Sequence, residues 1–63
     1  MNYKERLVFE FGDLSERIVL LQKHIETKTT SDKAEDEVLK RQLEAMLTYR
    51  GCLAERIMKM LGE

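Results

Sequence analysis

The chain has 63 residues, a formal net charge of −1 and acids and bases interspersed along its whole length; this leaves room for one domain (1–63) and argues against a basic nucleic-acid footprint. Its single cysteine rules out an internal disulfide and suits a reducing cytoplasm. No apolar run approaches the roughly 20 residues of a membrane span, and the charged N-terminus lacks a secretory apolar core. Ordering a chain costs roughly 1.5 kcal/mol per residue, about what burial returns at this size. Oligomerisation is the rescue to expect.

With 37% charged residues and no proline, the composition favours helices. The first is predicted from about residue 2 to 27. Leu7, Phe11, Leu14, Ile18, Leu21 and Ile25 alternate steps of four and three, an apolar seam held for almost three heptads. A second line runs beside it: Val8, Gly12, Ser15 and Val19. Phe9 and Leu20 fall instead among Asp13, Glu16 and Lys23, on the face expected to meet solvent.

Lys28-Thr29-Thr30-Ser31 contains two β-branched residues and a serine, and marks a break. Asp32 followed by Glu35 matches an N-cap with its capping-box partner, and Asp36 and Glu37 suit the positive end of a new helix. That helix is predicted over about 33–61, with Gly62-Glu63 as its stop. Leu39, Leu43, Met46, Leu53, Ile57 and Met60 share one face, and Arg41, Glu44, Thr48, Glu55 and Lys59 lie opposite. Again a second apolar line accompanies the first: Leu47, Gly51, Ala54 and Met58. A stripe that wide exceeds what one neighbouring helix covers.

A connection of about four residues makes the helices antiparallel neighbours. Folding about residue 30 sets Leu7 against Leu53, Phe11 against Tyr49, Leu14 against Met46 and Leu21 against Leu39. It also brings Gly12 towards Gly51 and Ser15 towards Leu47. A mid-helix glycine costs about 1 kcal/mol against alanine, and two at one level imply close approach of another backbone. The expectation is an all-α antiparallel hairpin that dimerises into a four-helix bundle. Its oligomer seam would be Val8, Gly12, Ser15, Val19, Leu47, Gly51, Ala54 and Met58.

Signs of catalysis are lacking. His24, the one histidine, has Leu20, Leu21, Thr27 and Lys28 three and four residues away, so the inward Glu-x-x-His of a di-metal bundle is absent. A serine or cysteine nucleophile needs a base within reach, and Cys52 and His24 fall near opposite ends of the hairpin. No glycine-rich phosphate loop occurs. His24 reads as a solvated surface residue and Cys52 as a small residue at the edge of the apolar stripe. The expectation is no enzyme, no cofactor and no metal.

Arg50 is the anomaly. Its neighbours at three and four are Met46, Leu47, Leu53 and Ala54, so its guanidinium must snorkel or pair. Two readings stand: an ion pair with Glu10 or Asp13, or a receptor for an anionic ligand or a partner's carboxylate. Gln42 also falls at a seam position, where a polar residue can fix register. Tyr49 and Arg56 flank the same edge, with the tyrosine expected in the core and its hydroxyl at the rim.

Gln42, Met46, Tyr49, Leu53 and Arg56-Ile57 resemble a pattern of short phage-encoded helical proteins. From Met1-Asn2-Tyr3-Lys4 onwards the chain resembles the small protein of the exo–xis region of lambdoid phages. That likeness implies an early, cytoplasmic regulatory protein favouring lytic growth, without catalytic residues. Tyr49-Arg50, Cys52-Leu53-Ala54 and the turn Asp32 are similar to the second half of Rop, an RNA-binding hairpin that dimerises into a four-helix bundle. Rop binds RNA through lysines and amides of its first helix. Here Tyr3, Glu10, Leu14, Ile18 and Ile25 occupy that line, which speaks against RNA binding.

The leading expectation is therefore a non-catalytic, homo-oligomeric (dimer or tetramer) interaction protein that binds a host or phage protein. Phe9, Leu20, Tyr49, Arg50 and Arg56 are the candidate partner-binding residues. A Rop-like nucleic-acid-binding regulator and a sponge for an anionic nucleotide, captured through Arg50 between hairpins, are the alternatives.

Overall fold

The computed structural model describes residues 2–28 and 32–62. Two helices, α1 (Tyr3–Thr27) and α2 (Lys33–Leu61), pack as an antiparallel hairpin measuring 48 × 17 × 14 Å. Asn2, expected inside α1, is its N-cap: its side-chain oxygen accepts from the Glu5 N–H at 2.9 Å. Asp32 caps α2 as the sequence suggests, accepting from the N–H groups of Ala34 and Glu35. At the far end the Gly62 N–H donates to the Met58 carbonyl, 3.1 Å away. Of the predicted break, Thr29, Thr30 and Ser31 lie outside the described residues, as do Met1 and Glu63.

The seam is built from the predicted residues. Leu7, Leu14 and Ile18 of α1 and Leu53 and Met60 of α2 are buried, and Phe11, Leu43, Met46 and Ile57 pack against them. Leu53 is wholly inaccessible, the deepest point of a narrow core. Among the described residues only five are buried, because two helices alone can bury just one stripe of each.

Two side-chain pairs across one long edge fix the register. The Tyr49 hydroxyl donates to the Glu10 carboxylate, and the Arg56 guanidinium lies over the Tyr3 ring. Tyr49 and Arg56 are seven residues apart, as are Tyr3 and Glu10, so the helices run past one another in step. Tyr49 thus meets Glu10, one residue from the expected Phe11, and sits at the rim as an exposed side chain. Near the turn, Lys28 and Asp36 form an ion pair at the last seam positions before the connection. Sequence reasoning missed this pair, although Lys28 lies three residues after Ile25 and Asp36 three before Leu39.

Candidate functional site

Helical geometry separates the hairpin's outer surface into two long sides. On one, positions seven apart place Tyr3, Glu10, Arg17 and His24 of α1 beside Glu35, Gln42, Tyr49 and Arg56 of α2. On the other, Val8, Gly12, Ser15 and Val19 of α1 lie beside Leu47, Gly51, Ala54 and Met58 of α2.

The first side is polar and aromatic. Tyr49 holds Glu10, and that hydrogen bond, with desolvation and the Glu10 charge behind it, raises the phenol above its ordinary value of 10.0; the nearby Arg56 charge opposes the rise. Arg56 stands 5.9 Å from the Tyr3 ring centroid, within cation–π range. Arg17 pairs with Asp13 on its own helix at 3.1 Å. Gln42, expected on the seam, is exposed on this side.

Arg50 departs from the ion-pair reading. Its two predicted partners are engaged elsewhere, Glu10 by Tyr49 and Asp13 by Arg17. Among the described residues Arg50 makes no ion pair. The seam spacing explains its position: Leu39, Leu43, Met46, Arg50, Leu53, Ile57 and Met60 alternate four and three without a gap. Arg50 therefore sits on the seam itself and is half-buried, as an arginine is when its apolar stem follows an apolar stripe and its charge stays near water. Reading the steps through position 50 finds this. What remains is a half-buried guanidinium on the seam without an ion-pair partner among the described residues.

The second side is apolar and open. Val8, Val19, Leu47 and Met58 are exposed, Met58 by 73%, while Ser15 and Ala54, nearer the seam, are half-buried. A Cβ built on Gly12 or Gly51 would meet nothing within 4 Å. The close neighbour expected of these glycines is thus not supplied by the hairpin. Cys52 is exposed rather than edge-buried, since it projects one position beyond Gly51, away from the seam. Phe9 and Leu20 are exposed by 69% and 60%. Phe9 also borders the open side, where Val8, Phe9, Gly12, Asp13 and Glu16 line a shallow hollow.

The site residues thus fall into three places. Tyr49 and Arg56 lie on the polar side, Arg50 on the hairpin seam, the eight predicted oligomer-seam residues on the open side, and Phe9 and Leu20 on the outside of α1. His24 is exposed near the turn. Among the described residues no three His, Cys, Asp or Glu side chains gather as a metal site, and no helix is long and apolar enough to cross a membrane. No curated protein and no solved structure matches the chain. A family model does: the one described as Sequestin matches residues 1–59, and the chain belongs to the Sequestin family.

Proposed function

We propose that the protein acts by stoichiometric capture, as a non-catalytic dimer of hairpins that sequesters an anionic small molecule of the nucleotide class. The observation carrying this reading is Arg50, half-buried on the seam with both neighbouring acids already engaged. A buried-edge guanidinium without a carboxylate favours an incoming anion, and arginine's planar fork matches phosphate bidentately. Tyr3, Tyr49 and Arg56, on the polar side that flanks the seam, offer aromatic faces and a second cation, the groups that stack on a base and neutralise a phosphate. The family's description, Sequestin, speaks of sequestering in general terms. A sponge needs no reactive group, and none of the residue constellations of catalysis is present in the sequence.

Nucleotide-dependent thermal stabilisation tests the reading. A ligand that binds only the folded state raises the melting temperature in step with its concentration, by RT ln(1 + [L]/Kd). Mono-, di- and cyclic nucleotides should include one that stabilises the wild type and leaves Arg50→Met unmoved. Arg50→Met itself should fold at least as well, because methionine fits an apolar seam position and no acid is left unpaired. If no nucleotide shifts the wild type, or the variant responds equally, the Arg50 site is not the receptor.

A second reading rests on Phe9 and Leu20, whose exposure on one line of α1 suits a protein partner. The likeness to the exo–xis phage protein would make that partner a host or phage protein, and the outcome a bias towards lytic development in the host cytoplasm. Phe9→Glu with Leu20→Glu should then keep helicity and assembly while losing the partner in pull-downs from infected cells. Unchanged capture by that double variant would remove this reading.

A further inference from the structure

Of the four residues on the terminal half of the polar side, Tyr3, Glu10, Tyr49 and Arg56, only Glu10 is acidic. The Tyr49 hydroxyl donates to its carboxylate. Arg56, one heptad beyond Tyr49, stands near enough for its charge to act on the same phenol. Arg6 precedes Glu10 by one helical turn and lines a shallow hollow with it, beside Phe9 and Asp13. Among the described residues neither Arg6 nor Arg56 makes an ion pair. One phenol donor and two cations thus lie about a place that a single exposed carboxylate fills.

We propose that Glu10 is an internal stand-in for the ligand's anion: it occupies the Tyr49 hydroxyl in the free protein, and a nucleotide phosphate displaces it on binding. This inference rests on the capture reading above and supplies its control.

A carboxylate and a phosphate present the same kind of acceptor oxygen, and both take strong hydrogen bonds. A terminal phosphate brings more charge and one more oxygen, so it competes well for the donor. Glu10 is held lightly, because its bond lies at the exposed rim where water competes for both partners. Left in place, its charge would repel the incoming one. Contact between phosphate and Tyr49 therefore requires the carboxylate to swing out. Arg6, four residues back on the same helix, gives it an alternative partner across the hollow they share. Glu10 thus has two positions, one on Tyr49 that closes the site and one towards Arg6 that opens it.

Isothermal titration calorimetry tests this with the mono-, di- and triphosphates of adenosine and guanosine and their cyclic monophosphates. Glu10→Gln keeps the size of the side chain and an oxygen for the Tyr49 hydroxyl, so the hairpin keeps its register, with helicity checked by circular dichroism. It should bind nucleotide at least fivefold more tightly than the wild type. Glu5→Gln, the same charge change at another exposed position of α1, should alter affinity by less than twofold. In a Tyr49→Phe background the gain from Glu10→Gln should fall below twofold, because no hydroxyl is left to release. An equal gain in that background, or from Glu5→Gln, would make Glu10 a distant charge and overturn the proposal. So would Glu10→Gln binding no better than a wild type that does bind, a result that leaves capture through Arg50 standing. No binding by either protein would reject the capture reading and this inference with it.

Discussion

The two long sides of the hairpin are made by the same two helices at the same register, yet one is closed and the other open. On the polar side the residues flanking the seam are long and bear complementary groups: Tyr49 reaches Glu10 and Arg56 reaches Tyr3. On the opposite side the equivalent places hold two valines, a serine, an alanine, two glycines, Leu47 and Met58, which are either short or carry no polar group with which to pair across the helices. The first side is finished within the chain. The second is left open by the hairpin, whose core among the described residues is five buried side chains.

The largest test of this contrast uses the same substitution on the seam and on the open side. Leu53→Ala empties the one fully inaccessible leucine position and should cost about 2–5 kcal/mol. That loss should appear in chemical denaturation at every protein concentration. Leu47→Ala should cost the isolated hairpin less than about 1 kcal/mol, since Leu47 is already exposed. Its penalty should grow with concentration as the dimer it weakens becomes populated. Equal, concentration-independent losses at both positions would mean that the open side is covered within the chain.

Much of this was legible in the residues. The steps of four and three through Leu7 to Ile25 and through Leu39 to Met60 gave both helices, and Asp32 gave the start of the second. The β-branched break gave the antiparallel turn. Side-chain partnerships were less legible because long flexible groups choose among several neighbours within reach. Glu10 lies opposite both Tyr49 and Arg50, and spacing alone cannot say that the phenol takes it. Asp13 similarly has a partner four residues along its own helix in Arg17. The place of Arg50 on the seam is hidden because its charge interrupts the apolar count from Met46 to Leu53. Lys28 and Asp36 are hidden for the same reason: an apolar count ends before the last members of the seam, which are ionic.

That overlooked pair gives the next test, at the turn end where both sides begin. The Lys28 side chain keeps only 10% of its accessibility, and Asp36 keeps 32%. Removing one partner leaves a partly buried charge alone, so Asp36→Asn should cost about 1–2 kcal/mol, reduced from a fully buried pair by solvent screening. Lys28→Met combined with Asp36→Leu should recover most of it in thermal unfolding. If the double replacement is as unstable as the single one, the pair has no coupling and the turn is held by other contacts.

The closed side can be opened by pH. The Tyr49 phenol is raised above 10.0, foremost by its hydrogen bond to Glu10, so the fold holds this proton more tightly than the unfolded chain does. Its contribution is fully present below the ordinary tyrosine value and is lost as pH rises through the higher folded one, because there the unfolded state binds fewer protons. Stability should therefore fall with pH from about 10 upwards. Tyr49→Phe should lose that part of the decline, seen by comparing unfolding midpoints of the two proteins at pH 8 and pH 11. An identical decline in both would place the titration on another group.

Arg56 offers the smallest and finest test. Its guanidinium over the Tyr3 ring is exposed, where such contacts contribute about 0.5–1 kcal/mol, so Arg56→Gln should lower stability by no more than that. Its charge also lowers the Tyr49 phenol, against the upward effect of Glu10. The same variant should therefore move the Tyr49 ionisation further up, measured by ultraviolet titration in a Tyr3→Phe background. Arg56→Lys should keep the electrostatic effect while weakening the stacked contact, since an ammonium lacks the planar face. The two readouts thus separate charge from stacking at a single position. If Arg56→Gln leaves the Tyr49 titration unmoved, the arginine is not part of the polar side, and the register drawn through Tyr3 and Arg56 loses one of its two supports.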